Sequence, residues 1–438
     1  MNIVLLSGGS GKRLWPLSNE IRSKQFLKLF KTDSGYESMV QRVYSQIKRV
    51  NPESVVTIAT SKSQVSIIHN QLSNDVNICV EPFRRDTFPA IVLASSYLHD
   101  VLGVSEDEAI VVCPVDPYVE DGYYRSVNEM YLTAKTGKND LVLMGIKPTY
   151  PSEKYGYIRP VPNNEGEMHY SFVEKPSEEK AIKYISEGAL WNGGVFAFKI
   201  SYVLRKAEEL IGYSGYKDLY QHYESLKKIS FDYAVVEREK SIGIIKYDGQ
   251  WSDIGTWNTL TNAMNDTVIG DAILDDSCDD VHVINELDIP IIAMGIHNAV
   301  ISASPDGILV SDKEKSCQIK EYVEAIDRQA MFAEKSWGTF KVIDAEKDSL
   351  TIKIVIKPKD YMNYHSHDNR DEVWIVVSGK GKAVVDGNTQ EISSGSIVVM
   401  KAGSKHTVFA ETELIMIEVQ LGKDITVQDK HKYPNCFS

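Results

Sequence analysis

Residues 6 to 18 read LSGGSGKRLWPLS and place Gly8, Gly9 and Gly11 directly before Lys12 and Arg13. Backbone free of side chains, followed by two cations, suits phosphate, because bare N–H groups and positive charge both favour an anion. Two well-known phosphate loops do not fit. The Walker pattern needs glycine where Leu6 stands and serine or threonine where Arg13 stands. The dinucleotide fingerprint needs a third glycine where Leu14 stands. Arg13 and Lys24, the latter in SKQFL, are the cations best placed to neutralise a polyphosphate and to stabilise charge that develops in phosphoryl transfer. Asp116 follows an apolar run in VVCPVDPYVEDG, and Asp253 lies between Trp251 and Gly255 in DGQWSDIGTW. Two such carboxylates beside a glycine loop are the parts of a Mg²⁺-triphosphate site. Lys175, next to Glu174 in FVEKP, could grip a monophosphate on a second substrate. Asn192 precedes two glycines in WNGGVF, where the backbone can approach a ligand closely. It could bond a sugar hydroxyl or simply shape a turn.

A second constellation lies near the C-terminus. YHSHDNRDEVW holds His365, His367 and Glu372, and His406 follows in KAGSKHTVF. Histidines two apart on a strand point to one side. Three nitrogens and one carboxylate oxygen would suit Zn²⁺, Mn²⁺, Fe²⁺ or Ni²⁺.

These residues need positioning elements. From residue 1 to about 265 short Val- and Ile-rich runs alternate with helical segments. Strands are expected at 2–7, 54–60, 109–114, 140–146 and 194–200, and helices at 36–48, 87–101, 123–135 and 177–187. The pattern predicts a mostly parallel α/β sheet covered on both faces, with ligands beyond the C-terminal strand ends. From 266 to 334 the rhythm changes to short strands and tight turns, a small β linker module, with a helix expected over 322–332. From 335 to 438 glycine-punctuated strands predict a β-barrel. The chain has 438 residues, 25% charged and 43% hydrophobic, with a formal net charge of -13. That balance argues against broad nucleic-acid or membrane binding. No run of eighteen apolar residues is present. The five cysteines are scattered without a C-x-x-C pair, as in a cytoplasmic protein with free thiols.

The ordered set LSGGSGKRLWPLS, KQFL, EPFRRDTFPAI, CPVD, YGYI, FVEKP, WNGGVF, FDYAVVER and WSDIGTW resembles the mannose-1-phosphate guanylyltransferase family in its long bacterial form. The resemblance implies a Rossmann-like nucleotidyltransferase domain, a β linker and a C-terminal cupin barrel. It implies in-line attack of a sugar 1-phosphate on the α-phosphate of GTP, giving a GDP-sugar such as GDP-mannose and pyrophosphate. On family positions Arg13 and Lys24 contact the triphosphate, and Asp116 and Asp253 hold Mg²⁺. Gly8, Gly9 and Gly11 let the backbone close on the nucleotide, and Glu81 with Pro82 lies near the base. Lys175 binds the sugar's phosphate, while Glu174 and Asn192 take its hydroxyls. A homodimer is possible. The chain departs from the family at Lys12, Ser23, Arg84, Asp86, Phe88 and Pro117, which leaves another base or sugar open. The His365, His367, Glu372, His406 set resembles the cupin metal pattern, and relatives with two functions interconvert mannose 6-phosphate and fructose 6-phosphate there. His365 takes the family's glutamine position, and Asp368, Asn369 and Val373 replace histidines. The competing class is a non-catalytic sugar-nucleotide sensor, which would bind nucleotide and release no pyrophosphate.

Overall fold

The computed structural model describes the chain except residues 10–11, 73–74, 163–167, 327–329, 424, 427–428, 435 and 437–438. The chain packs as two units, one of residues 1–10, 23–65 and 72–266, the other of 11–22, 66–71 and 267–438.

In the first unit, apolar strands too hydrophobic for a solvated face build one nine-stranded sheet. Asn77–Glu81, Val55–Ser61, Asn2–Leu6 and Ala109–Pro114 run parallel side by side. Leu190–Lys199 then pairs antiparallel with Ala109–Pro114 on one side and with Leu141–Ile146 on the other. Ile242–Tyr247 adds a parallel edge to Leu141–Ile146. The sheet is therefore mixed rather than mostly parallel. The reversal comes at Leu190–Lys199, whose ten residues reach past the core to a hairpin of Tyr157–Pro162 and Met168–Val173.

The helices cover the sheet. Met39–Val50 starts later than 36 because Gly35–Ser38 forms a strand and Ser38 caps the helix, its hydroxyl accepting from Gln41 N while the Gln41 side chain accepts from Ser38 N. Thr87–Ser96 is buried from Phe88 onward, so it carries no polar face. It passes into a wider turn over Tyr97–Val101. Asp121–Thr136 and Glu178–Ser186 match their expected positions within two residues.

In the second unit, Val268–Ile269, Asp279–Asn285 and His297–Ser304 stack in parallel, and Gly307–Asp312 closes the edge antiparallel. Val281, Val283, Ala293, Ala299 and Ile301 form its small core. The expected helix over 322–332 is corrected: the helix is Ile319–Glu324, and Phe332–Lys335 is a strand. A tight turn pairs Lys335 with Gly338, and that ladder wins over local helical propensity. Residues 327–329 lie outside the described residues.

The C-terminal part is two facing antiparallel sheets, six strands and five strands. Strict alternation in Arg370–Ser378 and Leu414–Gly422 turns Trp374, Val376, Leu414 and Met416 inward, all at most 1% exposed. This is the cupin architecture. Residues 11–22 are tied to this second unit by a buried guanidinium: Arg22 donates to both oxygens of Glu286 at 2.8 and 2.9 Å. Among the described residues no helix is long and apolar enough to cross a membrane.

Candidate functional site

Beyond the C-terminal strand ends of the first unit, two aspartates are fixed by main-chain pairing. Asp116 follows Ala109–Pro114 by two residues. The next strand, Pro117–Val119, pairs antiparallel with Trp251–Asp253, so that Asp253 stands opposite Pro117. Ile254 N also donates to Asp116 O at 3.4 Å. Lys24 arrives on the 3₁₀ turn Lys24–Phe26. That turn is anchored by buried Phe26 and by Gln25, whose amide donates to Ser7 O and Oγ at 3.2 and 3.0 Å.

The Lys24 ammonium donates to Asp116 Oδ2 at 2.8 Å and to Ile254 O at 2.8 Å. It lies 3.9 Å from Asp253 Oδ1. One ammonium facing two carboxylates leaves net negative charge, and Asp116 and Asp253 keep side-chain exposures of 35% and 42%. A hard divalent cation with oxygen ligands fits that donor set.

The glycine loop runs past the same strand ends. Ser23 Oγ donates to Gly9 O at 3.2 Å and receives Gln64 Nε2 at 2.7 Å. Gly9 has φ 146°, which suits glycine, and a Cβ on Gly8 or Gly9 would meet nothing within 4 Å. The loop is open to a ligand. Arg13 lies exposed on the 3₁₀ turn Lys12–Leu14 in the second unit, so it is not among the side chains that the first unit assembles. Gly11 lies outside the described residues.

A second cluster forms around a bulge in Leu190–Lys199, where the register shifts between Asn192 and Phe196 and Gly194 adopts φ 67°. Asn192 Oδ1 accepts from Gly194 N at 3.2 Å, and its amide donates to Asp232 Oδ1 at 2.7 Å. Lys175 pairs with Glu174 at 2.8 Å. A Cβ at Gly156 would fall 2.5 Å from the Phe172 ring and 2.7 Å from Glu174 Oε2, so a side chain there would have to displace its neighbours. Burial, and then the Glu174 charge, push the Asp232 carboxyl up to about 7 against the hydrogen bond from Asn192. The structure thus brings Glu174, Lys175 and Asn192 together and adds Asp232, to which the sequence reading gave no role.

Trp191, beside Asn192, packs against Trp251, two residues before Asp253, with ring centroids 6.1 Å apart. Tyr155 packs on both rings at 4.9 and 5.3 Å. This aromatic wall joins the two clusters. Glu81 stands apart from both pairs: Tyr223 OH donates to Glu81 Oε2 at 3.1 Å, and burial pushes its carboxyl up to about 7. Pro82 follows it, half-buried.

The raised Asp232 pKa carries a stability consequence. In the unfolded chain Asp232 ionises near 4, as a free aspartate does. Between pH 4 and 7 the folded state then holds more protons than the unfolded state, so this group lowers stability as pH rises, and the full penalty persists above 7. Asp232→Asn keeps an acceptor for Asn192 without the charge. Its urea midpoint is expected to exceed that of the unsubstituted chain at pH 8, with the gap closing toward pH 4. A gap independent of pH contradicts the assignment.

In the second unit the four C-terminal ligand candidates converge. His365, His367, Glu372 and His406 offer donor atoms that all lie within 4.8 Å of one another, and each residue is at most 3% exposed. His365 Nδ1 faces Asn363 O at 2.6 Å, His406 Nδ1 faces Ser404 O at 2.9 Å, and His367 Nδ1 faces Asp429 O. Those carbonyls require protons on all three Nδ1 atoms, so in the neutral rings every Nε2 presents a lone pair, and Arg370 Nη2 donates to that of His367 at 3.1 Å. Yet His365 Nε2 and His406 Nε2 stand 3.1 Å apart, and His406 Nε2 stands 3.1 Å from Glu372 Oε2. Burial pushes His365 down to about 2 and His367 down to about 4, so neither takes a proton at neutral pH. Facing lone pairs in a buried site fit a transition-metal ion as their common partner. The site opens on a cavity of about 880 Å³ whose lining includes His365, His367, Arg370, Lys335, Lys430 and Lys432.

Two family models match the chain: nucleotidyl transferase over residues 2–268 and the C-terminal domain of mannose-6-phosphate isomerase over 324–433. The mannose-1-phosphate guanylyltransferase RfbM of Salmonella typhimurium is 30% identical, over 96% of this chain and 94% of that protein. The alginate biosynthesis protein AlgA of Pseudomonas aeruginosa is 28% identical, over 99% and 96%. A crystal structure described as a mannose-1-phosphate geranyltransferase from Thermus thermophilus superposes with a TM-score of 0.61 at 27% identity, covering 75% of this chain and 99% of that one. With the open glycine loop, the paired aspartates and the buried histidine cluster in place, these matches show that the chain belongs to the mannose-1-phosphate guanylyltransferase family.

Proposed function

We propose that the first unit transfers a guanylyl group from GTP to mannose 1-phosphate, giving GDP-mannose and pyrophosphate. The observation that carries this reading is the Lys24, Asp116, Asp253 group beside the open loop at Gly8 and Gly9. A phosphate oxygen of the sugar phosphate bonds to the α-phosphorus, and the bond from that phosphorus to the bridging oxygen of the β-phosphate breaks. The attacking monoester is already anionic, so no protein nucleophile is required. Position and charge compensation are what the protein must supply. Lys24 sets a positive charge at the carboxylate pair, and Asp116 and Asp253 would hold Mg²⁺, which supplies charge neutralisation for the triphosphate. The family resemblance assigns the triphosphate to Arg13 and Gly11 as well. Glu81, with Pro82, accepts from the adjacent N1–H and amino donors of guanine. Lys175 takes the phosphate of the sugar, and Glu174, Asn192 and Asp232 accept or donate at its hydroxyls.

Pyrophosphate release measured with mannose 1-phosphate, Mg²⁺ and each of the four nucleoside triphosphates tests the reading, with GTP expected to lead. Release only with CTP or UTP defeats the guanylyl assignment and keeps the reaction class. Nucleotide binding without release favours a sensor.

A second activity is favoured by the buried histidine–glutamate cluster opening on a lysine-lined cavity. We infer sugar-phosphate isomerisation there, between fructose 6-phosphate and mannose 6-phosphate. The ion would polarise the substrate's carbonyl side. Glu418, held by Trp374 Nε1 at 2.9 Å and pushed up to about 7 by burial, can exchange a proton near neutral pH. Mannose 6-phosphate is not the substrate of the first unit, so a separate phosphate-moving step must link the two reactions.

A further inference from the structure

Among the described residues five cations line the cavity beside the histidine–glutamate cluster: Lys12, Lys335, Arg370, Lys430 and Lys432. Three of them are engaged. Arg370 donates to Glu372 Oε1 at 3.2 Å, to His367 Nε2 at 3.1 Å and to Thr426 O at 2.9 Å. Lys12 stands 4.0 Å from Glu20. Lys430 lies in the field of the Glu418 and Glu372 carboxylates. Lys335 and Lys432 differ: among the described residues neither ammonium makes an ion pair or a hydrogen bond. Lys335 Nζ lies over the Phe340 ring, 5.4 Å from its centroid, and burial, then the Lys432 charge, push its pKa down. Two like charges lining one cavity, one of them partly stripped of water, both gain from a shared anion.

Pairing fixes where these two lysines stand. Lys432 lies directly opposite His365 in an antiparallel pair, so both side chains leave the same face of the sheet. Lys335 ends the strand Phe332–Lys335, and its carbonyl accepts from the Asn70 amide at 2.7 Å. Burial then orders the cavity. His365, His367 and Glu372 are at most 3% exposed, Lys335 is half-buried and Lys432 is exposed. We propose that Lys335 and Lys432 form a phosphate subsite at the mouth of this cavity, holding the 6-phosphate of a hexose phosphate while the sugar's carbonyl end lies at the histidine–glutamate cluster. The choice of hexose rests on the isomerisation proposed above; the anion site itself does not. A phosphate monoester carries close to two negative charges at neutral pH, which matches two unengaged ammoniums. Placing the dianion at the exposed end keeps part of its hydration, whereas the buried end receives an uncharged carbonyl. The orientation therefore costs least in desolvation.

Calorimetric titration of the full chain with mannose 6-phosphate, mannose and inorganic phosphate tests the subsite. Mannose 6-phosphate is expected to bind at least tenfold more tightly than either of the others, a comparison that needs no variant. Lys335→Gln and Lys432→Gln should each weaken mannose 6-phosphate about tenfold, the worth of one hydrogen bond to a charged group, and leave mannose unmoved. Lys432→Arg keeps the charge and should retain most of the affinity. With fructose 6-phosphate as substrate the same losses should appear in KM rather than in kcat. Equal affinity for mannose and mannose 6-phosphate overturns the subsite. Inorganic phosphate binding as tightly as mannose 6-phosphate also overturns it, since the sugar would then add nothing. Isomerisation with a KM indifferent to both glutamine substitutions removes the subsite and leaves the isomerase reading standing. Lysine-dependent binding of mannose 6-phosphate without any isomerisation supports the subsite and defeats that reading.

Discussion

Asp253→Asn is expected to slow pyrophosphate release by about 10²- to 10³-fold, the range seen when one preorganised electrostatic partner is removed from a transition state. Its backbone pairing with Pro117 does not depend on the carboxylate, and its side chain is 42% exposed. The thermal transition should therefore stay in place. Lys24 would keep its 2.8 Å bonds to Asp116 and Ile254, so the ammonium stays while one of the two carboxylates that would hold the divalent ion is lost. The loss should fall mainly on kcat, with a raised Mg²⁺ requirement, because the missing charge acts where the triphosphate splits. A rate within threefold of the unsubstituted chain would remove Asp253 from the site.

The second large effect concerns the cupin cluster. The purified chain is expected to hold one transition-metal ion per chain, and His406→Ala to lower that affinity by at least ~100-fold, since even outer partners of a ligand are worth 10- to 100-fold. His406 faces both His365 Nε2 and Glu372 Oε2 at 3.1 Å, so its removal takes a ligand from the centre of the set. Because an ion bound only by the folded state stabilises it, a chelator should lower the thermal transition of the unsubstituted chain and leave that of His406→Ala unmoved. Elemental analysis beside a melting curve reads both. A metal-free chain whose melting ignores added Zn²⁺ and Mn²⁺ contradicts the cluster's role.

What the sequence made legible follows from how local each signal is. The glycine loop, Asp116 and Asp253 were visible because turn residues beside apolar runs mark strand ends, and strand ends are where such folds hold ligands. The pairing of Pro117–Val119 with Trp251–Asp253 that brings the two carboxylates to one ammonium joins segments more than 130 residues apart, which no local pattern reports. Asn77–Glu81 and Ile242–Tyr247 were missed because their short runs, NICVE and IGIIKY, are half-buried edges without strong alternation. The direction of Leu190–Lys199 was hidden for a different reason: parallel and antiparallel strands buried on both faces have the same composition. Asp232 sits in FDYAVVER, whose resemblance was noted, yet only the fold shows that Asn192 reaches it at 2.7 Å. The histidine cluster was the most legible, since alternation on a strand and a returning hairpin place all four residues inside the barrel.

Nucleotidyl transfer to a sugar 1-phosphate is read out by ³¹P NMR of the protein with GTP, mannose 1-phosphate and Mg²⁺. A new pair of coupled diphosphate resonances from the GDP-sugar is expected, with one pyrophosphate formed for each. Orthophosphate in place of that pair, or unchanged GTP in the presence of folded protein, would contradict it.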